Sequence, residues 1–238
     1  MKTIISEHAP KSLIFDTGPI ISLTMNNLLW LLKPLKEQFQ GEFIIPRPVK
    51  RELVDKPLNT KKFKFEAFQV LYYMNNNILF MFDNKNMKQK SEKILSIANK
   101  CFKARGNFIQ IIHYAEAAAL ANALELKAEA VCIDERTTRL LIENPNELKK
   151  ILMKKLHTNI KVNHHNLKQI KKKLKGIKII RSAELVTMAY ELGLLDIYLK
   201  NTSMAKKELL DSVLWGVKLD GCAISGKEID QIIKLEKR

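Results

Sequence analysis

Five short apolar runs, separated by longer stretches of helical periodicity, dominate the hydrophobic pattern of this 238-residue chain. Each run has the length and composition of a buried strand. The runs lie at 12–16, 42–46, 77–83, 130–134 and 176–180. Strands that alternate with helices form a parallel sheet with helices on both of its faces. The pattern therefore predicts an α/β fold with a central, mostly parallel sheet.

The stretches between these runs predict the helices. Gly18 and Pro19 open a helix that we expect to end near Pro34, and Pro48 stands at the start of a short helix that carries Glu52. Other stretches place apolar side chains at helical spacing opposite a polar face. Further helices are expected at 87–105, 111–128, 183–193, 205–216 and 226–236.

The net charge of +16 is concentrated in one part of the chain. The 36 residues between Glu147 and Glu184 contain no acid and carry twelve cations, so the rest of the chain contributes only +4. Within this interval, two amphipathic lysine-rich stretches flank a polar TNIKVNHH turn, which predicts a basic helical hairpin inserted before the last strand. Ordinary exposed helices mix charges of both signs. A polyanionic partner is therefore favoured over a merely solvated face.

Composition also excludes several classes of protein. No stretch of 18 residues is free of charged and amide side chains, so we expect no membrane span. The N-terminal MKTIISEHAPKS lacks the apolar segment of a secretory signal, which favours a cytoplasmic protein. The cysteines Cys101, Cys132 and Cys222 lie far apart in apolar contexts. They are predicted to be reduced core residues, with no disulfide and no zinc site.

Four acidic residues adjoin apolar sequence, where a charge is costly without a partner. Asp16 and Asp134 end predicted strands, and Glu52 and Glu116 lie on predicted helices. Ligands of parallel sheets collect at the carboxyl ends of the strands. If the sheet brings the four acids together, their repulsion requires a cation, and carboxylate oxygens suit Mg²⁺ or Mn²⁺. The structural alternatives are a helix N-cap for Asp16 and a solvated helix position for Glu52.

The same residues resemble a known family. DTGPIISL, PVKREL and AEAAALANALELKAEAVCIDERTTR, in that order, are similar to the PIN domain family of metal-dependent ribonucleases, and most similar to its prokaryotic branch related to VapC. The sequences IKIIRSAELVTMAYELGLLD and KKELLDSVLWGVKLDGCAISGKEIDQII resemble the C-terminal region of that branch. The resemblance implies a PIN-like three-layer α/β/α fold. Its core would span 1–144, the hairpin insert 145–176, and the completing C-terminal strand and helices 177–238.

The resemblance also implies a site and a reaction. It implies catalysis and Mg²⁺ or Mn²⁺ binding by four carboxylates, those of Asp16, Glu52, Glu116 and Asp134. Thr17 resembles the polar residue that often follows the first acid, and Glu135 is an auxiliary acid; helix capping is the alternative for both. Tyr114 stands where the branch commonly has a further glutamate. One nearby acid is therefore missing.

The implied function is a metal-dependent endoribonuclease that hydrolyses RNA phosphodiester bonds. The missing acid favours the alternative of a PIN-fold RNA-binding or assembly module with little or no catalysis, and a DNA-directed nuclease is a third alternative. Many relatives are toxins paired with antitoxins, so an antitoxin-like protein partner and a homodimer stay open beside a role in RNA processing. In the hairpin, the residues expected to contact RNA are Lys149, Lys150, Lys154, Lys155, Lys168, Lys171, Lys172, Lys173 and Lys175.

Overall fold

The computed structural model of the chain describes residues 11–200 and 202–236. The N-terminal stretch that lacks a signal-like segment lies almost wholly outside the described residues, as do the outer ends of the segments 1–144 and 177–238. None of the helices in the described part of the chain combines the length and the apolar character needed to cross a membrane.

Strands and helices alternate along most of the described chain. The strands are β1 (Ser12–Phe15), β2 (Glu42–Pro46), β3 (Leu79–Phe82), β4 (Phe102–Ala104), β5 (Asn107–Phe108), β6 (Ala130–Cys132), β7 (Ile160–Val162) and β8 (Ile179–Ile180). The helices are α1 (Thr17–Met25), α2 (Leu32–Phe39), α3 (Arg47–Lys50), α4 (Lys56–Leu58), α5 (Lys64–Asn75), α6 (Met87–Ala98), α7 (Tyr114–Leu126), α8 (Arg136–Glu143), α9 (Pro145–Leu156), α10 (His164–Lys173), α11 (Ser182–Glu191), α12 (Lys206–Leu219) and α13 (Gly226–Leu235). A π-helical segment, Arg51–Asp55, joins α3 to α4.

Five parallel strands form the central sheet in the order β3-β2-β1-β6-β8. The register pairs Phe15 with Cys132 and Cys132 with Ile180, so the strands end together at one edge. Asp16 directly follows β1, and Asp134 lies two residues beyond β6. The predicted α/β/α class is confirmed, and the two aspartates follow neighbouring strands at the same edge of the sheet.

Each face of the central sheet is covered by helices. Leu13 and Phe15 of β1 belong to one core, which includes residues of α1, α2, α5, α11, α12 and α13. Ile14 between them belongs to the other core, which includes residues of α6 to α10. A strand buried on both faces reads as a continuous apolar run. The three cysteines are free and buried within these cores, as predicted.

The first predicted helix, which was expected to continue as far as Pro34, is wrong in its length. The chain leaves α1 at Asn27, which adopts the left-handed conformation with a φ of 55°. The Leu28 N–H donates to the Leu23 carbonyl at 2.7 Å, a bond that closes a helix C-terminus. Pro34 lies in the first turn of α2, where its missing N–H is not needed. It therefore does not end a helix.

The helix predicted at 87–105 is also too long. It ends at Ala98, and Phe102 begins β4. The Asn99 side chain accepts hydrogen bonds from the Ile111 and Ile112 N–H groups at 2.7 and 2.9 Å, which ties the turn after α6 to the approach to α7. Pairing between distant strands overrides the local helical spacing here.

The predicted TNIKVNHH turn contains a strand. Within it, β7 pairs antiparallel with β4, and β4 pairs with β5, so the three form a second sheet. Ile160 of β7 and Ile170 of α10 are buried, and α10 packs against α6. The basic hairpin is therefore built into the side of the molecule by a strand that its polar sequence did not reveal.

Candidate metal centre

Three of the four predicted carboxylates, those of Asp16, Glu52 and Glu116, lie close enough for their charges to act on one another. Asp16 and Glu116 are buried, at 5 % and 6 % exposure, whereas Glu52 is exposed. In the described part of the chain, no three acidic, histidine or cysteine side chains converge tightly enough to enclose an ion. The carboxylates form an open cluster with two buried members and one facing solvent.

Asp16 occupies the N-cap position of α1, but its carboxylate makes no capping hydrogen bond. Its Oδ1 atom is buried and has no hydrogen-bond partner among the described residues. Burial, followed by the charge of Glu116, raises the pKa of Asp16 to about 7, although the backbone N–H groups of Thr17 and Gly18 act in the opposite direction. The N–H groups at the start of α1 thus favour the charged carboxylate but leave its Oδ1 atom without a donor.

Glu116 is held by the backbone at the start of α7. Its Oε2 atom accepts a hydrogen bond from the His113 N–H at 2.7 Å, as the acidic partner of a capping box does. Burial raises the pKa of Glu116 to about 7, assisted by the charges of Glu135 and Glu52 and opposed by the His113 N–H. The alanines around it are buried, so the helix packs closely on its neighbours.

Glu52 projects from the π-helical segment between α3 and α4. The Thr17 hydroxyl donates to the Glu52 Oε2 atom at 2.8 Å, so the residue after Asp16 orients a second acid of the cluster. The sequence predicted a short helix here but not its π-helical winding. Such single turns of π-helix are found frequently at functional sites.

The fourth predicted acid, Asp134, has its carboxylate engaged elsewhere. It accepts hydrogen bonds from the Ser22 hydroxyl at 2.8 Å, the Ser182 N–H at 2.7 Å and the Ser182 hydroxyl at 2.9 Å. Burial raises the pKa of Asp134 and these donors lower it. A Cβ atom at Gly18 would lie only 3.3 Å from the Asp134 Cβ atom, so glycine permits this close approach. Asp134 thus joins β6 to α1 and α11.

Glu135 takes the capping role that was its alternative. Its Oε1 atom accepts from the Thr137 N–H at 3.3 Å at the start of α8, while its charge still raises the pKa of Glu116. The nine hairpin lysines lie on α9, on α10 and just after α10. Among them, Lys150 alone forms an ion pair within the described residues, with Glu147 at 3.8 Å.

A groove of about 710 Å³ that the sequence did not predict adjoins the cluster at Glu52. Its lining comes from α3, the π-helical segment, α4, α6 and α7, and includes Arg51, Tyr114 and Asn122. Segments so far apart in the chain leave no common motif. The one usable signal was a polar asparagine four residues after Ala118 on an otherwise apolar helix face.

The donor set fits a hard divalent cation. No lysine, arginine or histidine among the described residues forms an ion pair with Asp16, Glu52, Glu116 or Asp134. Carboxylate oxygens are the ligands that Mg²⁺ and Mn²⁺ prefer. The unpartnered Oδ1 atom of Asp16 is the atom that such an ion would satisfy.

Comparison with known proteins identifies a family. A family model described as a PIN domain matches residues 12–150, which is more than half of the chain and includes all four predicted acids. No curated protein matches the chain. The family match ends within α9, so β7, α10, β8 and α11 to α13 lie beyond it.

We predict that the substitution Asp16→Asn raises the free energy of unfolding of the metal-free chain by roughly 2–4 kcal/mol at about pH 8. The pKa of Asp16 is about 7 in the folded chain, against an ordinary value of 3.8, so the folded state binds a proton more tightly. Stability contributed by this group is therefore lost as the pH rises towards 7, and asparagine removes that loss. Urea unfolding in a chelator measures the difference, which should shrink as the pH falls towards about 4.

The matched control is Glu37→Gln, which neutralises an exposed acid of α2 and should change stability by less than about 0.5 kcal/mol. If Asp16→Asn destabilises the metal-free chain at about pH 8, the carboxylate has a stabilising partner and the metal-site assignment loses its basis.

A second prediction concerns Asp134. The substitution Ser182→Ala removes a buried donor to its carboxylate and should lower the free energy of unfolding by about 1–3 kcal/mol. Ser212→Ala is the control, because that exposed hydroxyl donates only to the Glu208 carbonyl of its own helix. Chemical denaturation of the two variants compares them directly. Equal stability in both would mean that the Ser182 hydroxyl adds nothing to the link between Asp134 and α11, which the Ser182 N–H still makes in the variant.

Proposed function

This chain belongs to the PIN domain family, whose members are generally nucleases, and we propose that it is a metal-dependent endoribonuclease that hydrolyses RNA phosphodiester bonds. One observation carries the proposal. The Asp16 Oδ1 atom is buried without a hydrogen-bond partner among the described residues, next to a second buried carboxylate, that of Glu116.

Two buried carboxylates that lack a counter-charge are strongly destabilised when both are ionised. A divalent cation between them and Glu52 would remove that penalty and would make use of the free oxygen. When bound, Mg²⁺ or Mn²⁺ supplies Lewis-acid activation of water and neutralises the charge that develops on the departing oxygen of a phosphodiester.

The chain's own groups prepare this site in distinct ways. The His113 N–H orients Glu116, and the Thr17 hydroxyl orients Glu52. Each glutamate side chain is therefore held in one rotamer and keeps its other oxygen for the ion. The exposure of Glu52 leaves one side of the cluster open to solvent and to a strand of RNA. We assign Asp16, Glu52 and Glu116 to metal binding. Asp134 we assign to the edge of the site, where Ser22 and Ser182 occupy its oxygens.

The basic hairpin is proposed to hold the RNA strand. Its lysines are mostly exposed, and the 36-residue interval that contains them carries no acid. Such a surface binds phosphates through release of counterions and without base specificity. β7 pairs with β4, so the second sheet joins the hairpin to the part of the chain between α6 and α7.

A binding or assembly module without catalysis is the second candidate. Tyr114 favours it, because this tyrosine stands at the first position of α7, where the resembling branch commonly has an acid. The two candidates differ in one measurable respect: the module would bind RNA without cutting it and would not depend on a metal.

We predict that the chain cleaves single-stranded RNA in the presence of Mn²⁺, and that Asp16→Asn and Glu116→Gln each lower the rate by at least about 100-fold. An amide keeps the shape of the side chain but cannot offset the charge of the ion. Cleavage of an end-labelled oligonucleotide and calorimetric titration of Mn²⁺ are measured on the same variants. Glu37→Gln should behave like the parent in both. Tight RNA binding with no cleavage and no metal response would instead establish the module.

For the hairpin, we predict that replacing Lys171, Lys172 and Lys175 together by glutamine weakens binding of single-stranded RNA in a chelator. The slope of log affinity against log salt should fall in magnitude by about 2, because each lost phosphate contact removes about 0.7. Filter binding at several salt concentrations measures both quantities.

The control removes the same net charge elsewhere, by replacing the exposed lysines Lys33, Lys127 and Lys227 with glutamine. If both triple variants change the slope equally, the hairpin acts only through the overall charge of the molecule and is not a specific RNA surface.

A further inference from the structure

One face of α7 runs away from the acidic cluster along the floor of the groove beside Glu52. Tyr114, Ala118 and Asn122 follow at intervals of four residues and all line the groove. At 1.5 Å per residue, the stripe is about 12 Å long, which is the length of one or two nucleotides. Ala118 in the middle leaves space between the two larger side chains.

Asn122 brings an unsatisfied polar atom to this floor. The side chain is 1 % exposed, and its Nδ2 group donates to the Ala118 carbonyl at 2.8 Å. Only the NH₂ end of the amide can make that bond, so the orientation of the amide is fixed. The Oδ1 atom is buried and has no hydrogen-bond partner among the described residues. Asn122 is therefore left with an acceptor that fits an N–H donor.

Tyr114, at the other end of this row of residues, and the cationic side chains on the rim of the groove also suit a nucleotide. Tyr114 is 36 % exposed, lines the groove together with Glu52, and lies two positions before Glu116 on α7. On the rim, the exposed Arg51, Lys56 and Lys88 make no ion pair with any described residue. Two of the acids that line the groove have cationic partners of their own, since Arg47 pairs with Asp83 and Lys50 pairs with Asp55.

We propose that this groove is a base-binding subsite for an unpaired nucleotide of the RNA strand. Tyr114 stacks on the base, Asn122 Oδ1 accepts a hydrogen bond from an N–H group of the base edge, and Arg51, Lys56 and Lys88 contact the adjoining phosphates. A base can enter the groove only when it is not paired, so the subsite selects single-stranded RNA and gives it a base preference at one position. This inference extends the proposed ribonuclease function.

The test measures binding in a chelator, so that it does not depend on cleavage. Oligonucleotides of A, C, G and U are titrated against the full chain by fluorescence anisotropy. The parent is expected to discriminate between the best and worst of the four by at least about tenfold, as one good hydrogen-bonded base contact allows. Asn122→Leu, which keeps the volume and removes the acceptor, should reduce that ratio to about twofold or less. Asn122→Ala repeats the test if the leucine variant does not fold.

Tyr114 is tested separately. Tyr114→Ala should weaken binding of all four oligonucleotides by about tenfold, as expected for loss of one stacked base, whereas Tyr114→Phe should bind like the parent. Tyr72→Ala is the matched control, because Tyr72 is 60 % exposed on α5 and lies outside the groove.

Three results would each overturn the subsite: equal affinity of the parent for the four oligonucleotides, an unchanged preference in both Asn122 variants, or equal effects of Tyr114→Ala and Tyr72→Ala. Failure of the ribonuclease proposal is a separate outcome. A base preference that requires Asn122, without metal-dependent cleavage, would leave the subsite in place on a binding module.

Discussion

The burial of two carboxylates side by side, at the carboxyl edge of a parallel sheet, is the constraint on which the rest of this structure depends. Asp16 and Glu116 are both almost inaccessible, and each acquires a pKa of about 7. Folding must hold them together against their desolvation and repulsion. The doubly covered sheet supplies the necessary stability, because Leu13, Ile14 and Phe15 of β1 are each buried in one core or the other. The site is thus maintained by packing that lies outside it.

Some polar contacts around the cluster leave one carboxylate oxygen available, whereas others occupy both oxygens. The His113 N–H donates to one oxygen of Glu116, and the Thr17 hydroxyl donates to one oxygen of Glu52. Asp134, in contrast, receives three donors, two of them from Ser182, which lies beyond the family match. The C-terminal region is therefore attached directly to the sheet edge that carries the carboxylate cluster. An acid that sequence comparison would count as a ligand also serves as the point of attachment.

Local sequence predicted the features that depend on local physics. β1, β2 and β6 read correctly because burial on both faces makes them continuously apolar, and Asp16 could be placed because it directly follows such a strand. Helical spacing misled at Phe102, where pairing of β4 with β7 decides the structure. The orientation of the Asp134 carboxylate could not be predicted, because its donors Ser22 and Ser182 are distant in sequence. The groove beside Glu52 depends on helices that meet only in the folded chain.

The acidic cluster and the basic hairpin lie in different parts of this molecule, which affects how RNA would approach it. A cluster of carboxylates repels a phosphate backbone, and long-range attraction must come from elsewhere. In the proposed function the hairpin would supply that attraction, and β7 and β4 join it to the segment that leads into α7. The second sheet therefore connects the most basic part of the chain to the segment that precedes the helix carrying Glu116. A strand held by the hairpin would meet the acidic cluster along a path set by the fold, and only a bound cation would make the last step of that path attractive.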